Sequence, residues 1–253
     1  MAQLEQRSRR NLDSDSVQLL RRSNPRIPWR PRLIEGNQAM RRGLSQSEKP
    51  PKLRRRKRVF DIVFGAALIV FLAPLMLIIA ALVKLDGGPA LYGHRRVGAN
   101  GQGFRCWKFR SMVVNADRVL AQVLRSDPDA RAQWERDFKL RSDPRITPIG
   151  RFLRTTSLDE LPQLFNVIAG DMSLIGPRPI VTEEIPRYGD AFRHYCACRP
   201  GMTGLWQVSG RNGIDYVRRV QFDEQYATGW SFLLDLVVLC RTVVVVTQRN
   251  GAY

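Results

Sequence analysis

From Ile62 to Val83 the chain carries 22 consecutive residues without a charge. As a straight helix this run would be ~33 Å long, about the hydrocarbon thickness of a bilayer. Few helices of water-soluble domains are apolar on every side over such a length, so the run reads as a membrane segment, not a core helix. It starts too far into the chain to be a signal peptide. The basic run Arg54 to Arg58 stands before it and marks the entry side as cytoplasmic. Pro74 lies near its middle, where a proline removes one backbone hydrogen bond and clashes with the turn before it. Charge leaves two topologies open: a kinked span, or a segment that breaks at Pro74 and returns to its side of entry. The remainder of the chain has the features of a cytosolic enzyme, which favours the re-entrant form.

The net charge of +18 is unevenly spread. Residues 1–58 hold 17 Lys and Arg against 5 Asp and Glu, a net of +12. They are rich in Arg, Ser, Pro and Gln and lack an apolar period, so a disordered tail is expected. A basic tail seeks polyanions, and its place beside an apolar segment favours anionic lipid over nucleic acid. Cys106, Cys196, Cys198 and Cys240 do not have zinc or redox-pair spacing and read as reduced thiols. With only His94 and His194 present, the sequence argues against a histidine triad or a multi-histidine metal site.

After Lys84 the pattern is α+β. Gly-rich turns between Leu85 and Phe109 predict a small hairpin or two. Val113 to Leu140 is charged and helix-prone, interrupted at Asp127-Pro128. Leu158, Leu161, Leu164, Phe165 and Ile168 recur at helical spacing, and Gly170 closes that helix. Tyr216 to Tyr226 reads as a short helix. Phe232 to Thr247 is apolar but carries Asp235 and Arg241, so it suits the membrane interface or the domain surface.

The chemistry concentrates between Thr155 and Pro179. Asp159 and Glu160 are adjacent carboxylates, and Ser157-Leu-Asp-Glu160 fits a capping box. Pro162 argues against Ser157 as the cap, since it would then stand at the fifth helical position. With Asp159 as the cap, Pro162 falls in the first turn, and the carboxylates sit at the positive end of the helix dipole. Capping and catalysis both remain open at this level. Ionised aspartate can attack phosphorus, and adjacent carboxylates can hold Mg²⁺. Candidate phosphate ligands surround them: Lys108 and Arg110 at a strand end, Arg145 and Arg154 in and after a rigid turn, Arg178 between two prolines, and Arg211. Arginine suits bidentate phosphate contacts. No Walker loop or dinucleotide fingerprint is present.

The ordered blocks KRVFD (57–61), HRRVGANGQGF and KFRSM (94–112), DPRITPIGRFLRTTSLDELPQLFNVIAGDMSLIGPRP (143–179), RPGMTGLWQVSGR (199–211) and WSFLLDLVVLCRT (230–242) resemble the bacterial sugar transferases, or polyisoprenyl-phosphate hexose-1-phosphate transferases. The resemblance covers residues 57 to 247. It implies transfer of a hexose 1-phosphate, glucose or galactose, from a UDP-sugar to undecaprenyl phosphate with release of UMP, opening exopolysaccharide synthesis at the cytoplasmic face of the inner membrane. By resemblance Asp159 is the nucleophile, Glu160 assists with Mg²⁺ or protons, and Arg178 contacts the nucleotide. The membrane segment is implied to be a re-entrant hairpin broken at Pro74, although Ala73 stands where the family usually has serine. The fold expected is a monotopic α+β protein: a basic tail (1–58), a re-entrant helix (59–84), and a cytosolic catalytic domain (85–253) with interfacial helices. It looks like the short family form, without a multi-span region ahead of the core. Oligomeric state is left open. The competing reading is a non-enzymatic membrane adaptor with a lipid- or nucleic-acid-binding tail.

Overall fold

A computed structural model describes residues 55–137, 140, 142–210 and 214–247. Most of the basic tail, residues 1–54, lies outside the described residues, as does Arg211.

Helix α1, Arg55–Lys84, is long and apolar enough to cross a membrane. It runs without interruption through Pro74, so the break expected there is not seen and the two-armed hairpin is not shown. Pro74 is exposed, and its missing N–H leaves the Val70 carbonyl without its helical donor on that side. The helix instead shows a stripe. Asp61, Gly65, Met76, Ile79 and Val83 are buried, with Leu68, Ile69 and Leu72 packed between them. That spacing places one face on the domain on both sides of Pro74, and leaves Val63, Val70, Phe71 and Leu77 exposed.

The two ends of α1 are fastened by polar contacts. At the start, Arg58 donates to the Val167 and Ile168 carbonyls at 2.5 and 2.8 Å, and Lys57 Nζ lies 2.7 Å from Asp235 Oδ2. Asp61 accepts from Ser173 Oγ at 3.0 Å and Leu174 N at 3.1 Å. At the far end the Val83 carbonyl accepts from Arg110 at 2.8 Å.

Strands β1 (Leu91–Val97) and β2 (Gly103–Phe109) form one antiparallel hairpin, in register from Leu91↔Phe109 to Val97↔Gly103. Its turn uses positive φ at Asn100 and Gly101, as the tight reversal demands. Helices α2 (Ala116–Ser126) and α3 (Pro128–Asp137) divide where Pro128 was expected to divide them. Helix α4 (Pro148–Thr156) begins at a true cap: the Thr147 hydroxyl accepts from Gly150 N at 2.9 Å, and Pro148 takes the first position. A 3-10 turn, Leu158–Glu160, leads through Leu161 and Pro162 into α5 (Gln163–Ala169), which Gly170 closes at φ 96°.

Strand β3 (Ser173–Ile175) pairs in parallel with β4 (Gly201–Thr203) as a buried two-stranded core. A Cβ on Gly201 would lie 2.1 Å from Gly176 N, so this pair tolerates only glycine there. Short helices α6 (Ile185–Tyr188) and α7 (Phe192–Cys196) lie between β3 and β4; α8 (Tyr216–Thr228) and α9 (Phe232–Thr247) finish the described chain.

The core falls into three clusters. One joins Cys106, Leu164, Val167, Ile175, Tyr226 and Val238 to the first half of α1. A second holds Val97, Ile180, Tyr188 and Tyr195 together. A third packs Met76, Ile79 and Val83 of α1 on Phe109 and Leu153. Gly150 sets the approach of α4 to the strand end: a Cβ there would lie 2.0 Å from the Ser111 carbonyl oxygen. Gly150→Ala is therefore expected to destabilise the domain by about 1–3 kcal/mol, since backbone must move to admit the methyl. A lowered denaturation midpoint in detergent measures this; an unchanged midpoint would show that α4 is not held by this contact.

Candidate active site

The 3-10 turn that carries Asp159 and Glu160 exists because Ser157 ends α4 in the left-handed region, at φ 58°. Ser157 stands at the N-cap position of this turn, but its side chain makes no capping bond, so the capping box is not formed. The expected start of the next helix at Asp159 is also corrected. Helix α5 begins at Gln163 and no side chain caps it, so Pro162 sits just ahead of it. The carboxylates are thus held on a short turn between two helices and are free of capping duty.

Opposite them stands Lys108 near the end of β2. Its Nζ lies 2.6 Å from Glu160 Oε1 and 3.7 Å from Asp159 Oδ2. Asn166 of α5 fixes the strand relative to the turn. Its Oδ1 accepts from Trp107 N at 2.9 Å, and its Nδ2 donates to the Arg105 carbonyl at 2.7 Å. One side chain on the helix after the dyad therefore pairs with the strand edge that bears Lys108.

The two carboxylates differ. Asp159 is buried, with the whole residue 8% exposed, whereas the Glu160 side chain is 41% exposed. Burial pushes the Asp159 carboxyl above its ordinary range and the Glu160 charge adds to this, against the pull of Lys108 and Arg154. Burial acts upward on Glu160 too, but Lys108, Arg178 and Arg96 together outweigh it and hold Glu160 below its ordinary value. Burial disfavours the Lys108 ammonium, yet the two carboxylates keep it above its usual value. Two neighbouring carboxyl groups pushed in opposite directions are a common mark of divided chemical roles.

The predicted arginines separate into two groups. Arg154 and Arg178 belong with the dyad. Arg154 donates to Ser111 Oγ at 2.9 Å and acts electrostatically on Asp159. Arg178 stacks over the Trp206 ring at 5.4 Å and acts on Glu160. Arg110 and Arg145 are otherwise engaged. All five N–H groups of Arg110 have acceptors: the Pro89, Met112 and Val83 carbonyls and both oxygens of Asp86. It joins the end of α1 to the hairpin. Arg145 chelates Asp143 at 2.8 and 2.6 Å and lies over Trp134.

Other residues complete the cleft without having been foreseen. Arg96 of β1 donates to the Pro179 carbonyl at 3.2 Å, so the hairpin holds the Pro-Arg-Pro element. Buried Arg219 of α8 lies over the same Trp206 ring as Arg178, at 5.2 Å, and 3.4 Å from Glu184. Asp223 accepts from Tyr188 Oη at 2.7 Å and from the Arg178 backbone N–H, and burial pushes its carboxyl up to about 7. Arg96 and Trp206 fall in sequence blocks already singled out; Arg219 and Asp223 gave no signal beyond their place on a helix.

Residues 53–249 match the model of the bacterial sugar transferase family. The chain belongs to this family. Over 197 residues, 78% of the chain, it is 57% identical to the undecaprenyl-phosphate galactose phosphotransferase of Salmonella typhimurium, and it spans only 41% of that protein. It is 49% identical to the exopolysaccharide production protein ExoY of Rhizobium meliloti over 198 residues, 78% of the chain and 88% of the relative. It is 41% identical to a UDP-glucose:undecaprenyl-phosphate glucose-1-phosphate transferase of Caulobacter vibrioides over 208 residues, 78% of the chain and 72% of the relative. Family membership bears out the resemblance read from the ordered blocks.

Proposed function

We propose that this protein transfers a hexose 1-phosphate from a UDP-sugar to undecaprenyl phosphate, releasing UMP, as the first membrane step of exopolysaccharide assembly. The observation that carries this reading is the dyad itself: buried Asp159 and half-buried Glu160 around one lysine, on a domain lying along an apolar helix. Asp159 attacks the phosphorus that bears the sugar, the bond to UMP breaks, and the phospho-sugar rests on the Asp159 carboxyl oxygen. An oxygen of the lipid phosphate then attacks the same phosphorus and returns Asp159 as a carboxylate. Both nucleophiles are anions, so the step needs charge neutralisation more than a base. Lys108, Arg154 and Arg178 supply cationic charge around the phosphates.

Asp159 and Glu160 are the residues that would hold Mg²⁺. Among the described residues there is no cluster of three His, Cys, Asp or Glu side chains. Two carboxylates still suit Mg²⁺, which commonly keeps several waters and takes its other ligands from substrate phosphates. Bound there, the ion would neutralise diphosphate charge.

Both ends of α1 bond to the same domain, which supports a monotopic arrangement at the cytoplasmic face of the inner membrane, with the apolar face of α1 in lipid. Exposed Leu233, Val243 and Val244 on α9 suit the interface. Galactose is the first sugar to test, because the relative at 57% identity is named for it and the one at 41% for glucose.

The test is UMP release by purified protein with undecaprenyl phosphate and a panel of UDP-sugars. Release that requires the lipid phosphate is expected for one hexose; none with any sugar would refute the reading. Arg178→Lys keeps the charge but loses the planar fork and the full stack on Trp206, so kcat/KM for the UDP-sugar is expected to fall about tenfold or more. An unchanged value would remove Arg178 from the nucleotide site.

A further inference from the structure

Lys108 occupies an unusual position. Its ammonium is in direct contact with Glu160 and near Asp159, at 2.6 and 3.7 Å, and it reaches them from a different element. Arg154 acts on Asp159 as well, and Arg178 and Arg96 act on Glu160. Lys108 is the cation in contact with the pair, and the arginines add positive charge from further off. A free divalent cation approaching the dyad meets that positive charge, and among the described residues the site offers it two protein carboxylates and no cluster of three. A diphosphate would reverse both conditions, bringing negative charge and further oxygen ligands.

The cations around the dyad also differ in their freedom. Arg154 is tied to Ser111, Arg178 is stacked on Trp206, and Arg96 donates to the Pro179 carbonyl. Lys108 ends in a compact charge on a flexible four-carbon stem, with its side chain 28% exposed. It can leave Glu160 without unmaking the fold.

We propose that Lys108 is a displaceable counter-ion: it neutralises the dyad while the site is empty, keeps divalent cations out, and moves from Glu160 to a phosphate oxygen when the diphosphate arrives. The lysine thus offsets dyad charge before substrate arrives, and the metal takes over that part afterwards. This rests on the dyad being the phosphoryl-transfer site, but its test does not depend on turnover.

The experiment is a titration of the full-chain protein, in lipid nanodiscs, with Mn²⁺ followed by the electron paramagnetic resonance signal of the free ion, with and without UDP. After subtraction of the Mn²⁺ that the same UDP holds without protein, the wild type is expected to bind Mn²⁺ at least tenfold tighter with UDP than without. Lys108→Gln is expected to bind Mn²⁺ without UDP at least tenfold tighter than the wild type does, and to gain less from UDP than the wild type does. Lys108→Met should match it, and Lys108→Arg should restore exclusion. Adding Glu160→Gln to Lys108→Gln should abolish the gain. The proposal is overturned if Lys108→Gln and Lys108→Met bind no tighter than wild type, if wild type binds equally with and without UDP, or if the gain survives Glu160→Gln. A wild type that releases no UMP from any UDP-sugar would sink the proposed reaction, and the Mn²⁺ comparison would still report on Lys108.

Discussion

Asp159→Asn is expected to reduce UMP release by ~10⁴-fold or more while leaving the fold intact. The amide has nearly the shape of the carboxylate, so packing around this buried position is conserved, but it carries no negative charge with which to attack phosphorus. Intact-protein mass spectrometry after mixing with UDP-sugar, without the lipid, should show a phospho-sugar adduct on the wild type and none on the variant. Glu160→Gln gives the contrast. It removes the charge that Lys108 neutralises and a proposed metal ligand, but not the attacking oxygen. Its loss should be smaller, on the order of 10²–10³-fold, as for removal of one electrostatic stabiliser. If Asp159→Asn retained turnover and Glu160→Gln lost it, the roles assigned to the two carboxylates would have to be exchanged. The opposite displacement of their acidities argues against exchange: Glu160 is the group that Lys108 and the arginines hold ionised, while Asp159 is the more basic and more buried oxygen donor.

The dyad was legible because its signal is local. Two carboxylates, a proline three residues on and an apolar period of helical spacing all fall within one short segment. The hairpin, the division at Pro128 and the stop at Gly170 were legible for the same reason, since turn chemistry acts over a few residues. What failed was the assignment of partners to charges. Arg110 and Arg145 looked like phosphate ligands because sequence records a guanidinium but not what it meets. Asp143 stands two residues from Arg145 and could have suggested their pairing, whereas Asp86 and the Val83 carbonyl reach Arg110 only through the fold. Lys57 and Arg58, part of the basic run that marks the entry side, each bond to the domain, which the sequence does not record. Asp61 is met by the Ser173 hydroxyl and the Leu174 amide, with the Lys57 charge nearby, contacts that only the fold reveals. Asn166 could not be foreseen at all, because its importance lies in a strand edge nearly sixty residues earlier in the chain.

Asp235→Ala is expected to cost about 3–5 kcal/mol, the range for removing one partner of a buried ion pair. Asp235 is fully buried on α9 and gathers three donors from separate parts of the chain: Lys57 Nζ at 2.7 Å, Tyr226 Oη at 2.7 Å and Trp230 Nε1 at 2.9 Å. It is the point at which the foot of α1, helix α8 and helix α9 meet. Alanine would leave the Lys57 charge facing a void without its carboxylate and would take one acceptor from Trp230 Nε1 and one from Tyr226 Oη, although the hydroxyl keeps the Ile175 carbonyl at 3.0 Å. The effect should exceed that of Lys57→Met, because the carboxylate keeps two neutral donors when the lysine goes. The double variant Lys57→Met with Asp235→Leu should recover part of the loss, since replacing both charges by apolar groups is far less costly than orphaning one. Thermal unfolding of the detergent-solubilised variants, read together with protease cleavage at the α8–α9 junction, distinguishes these outcomes. Additive losses in the double variant would mean that Lys57 and Asp235 stabilise the protein independently. A recovery would show that the junction between the membrane helix and the domain depends on their pairing, which ties the foot of α1 to β3 through Tyr226, whose hydroxyl also reaches the Ile175 carbonyl at 3.0 Å.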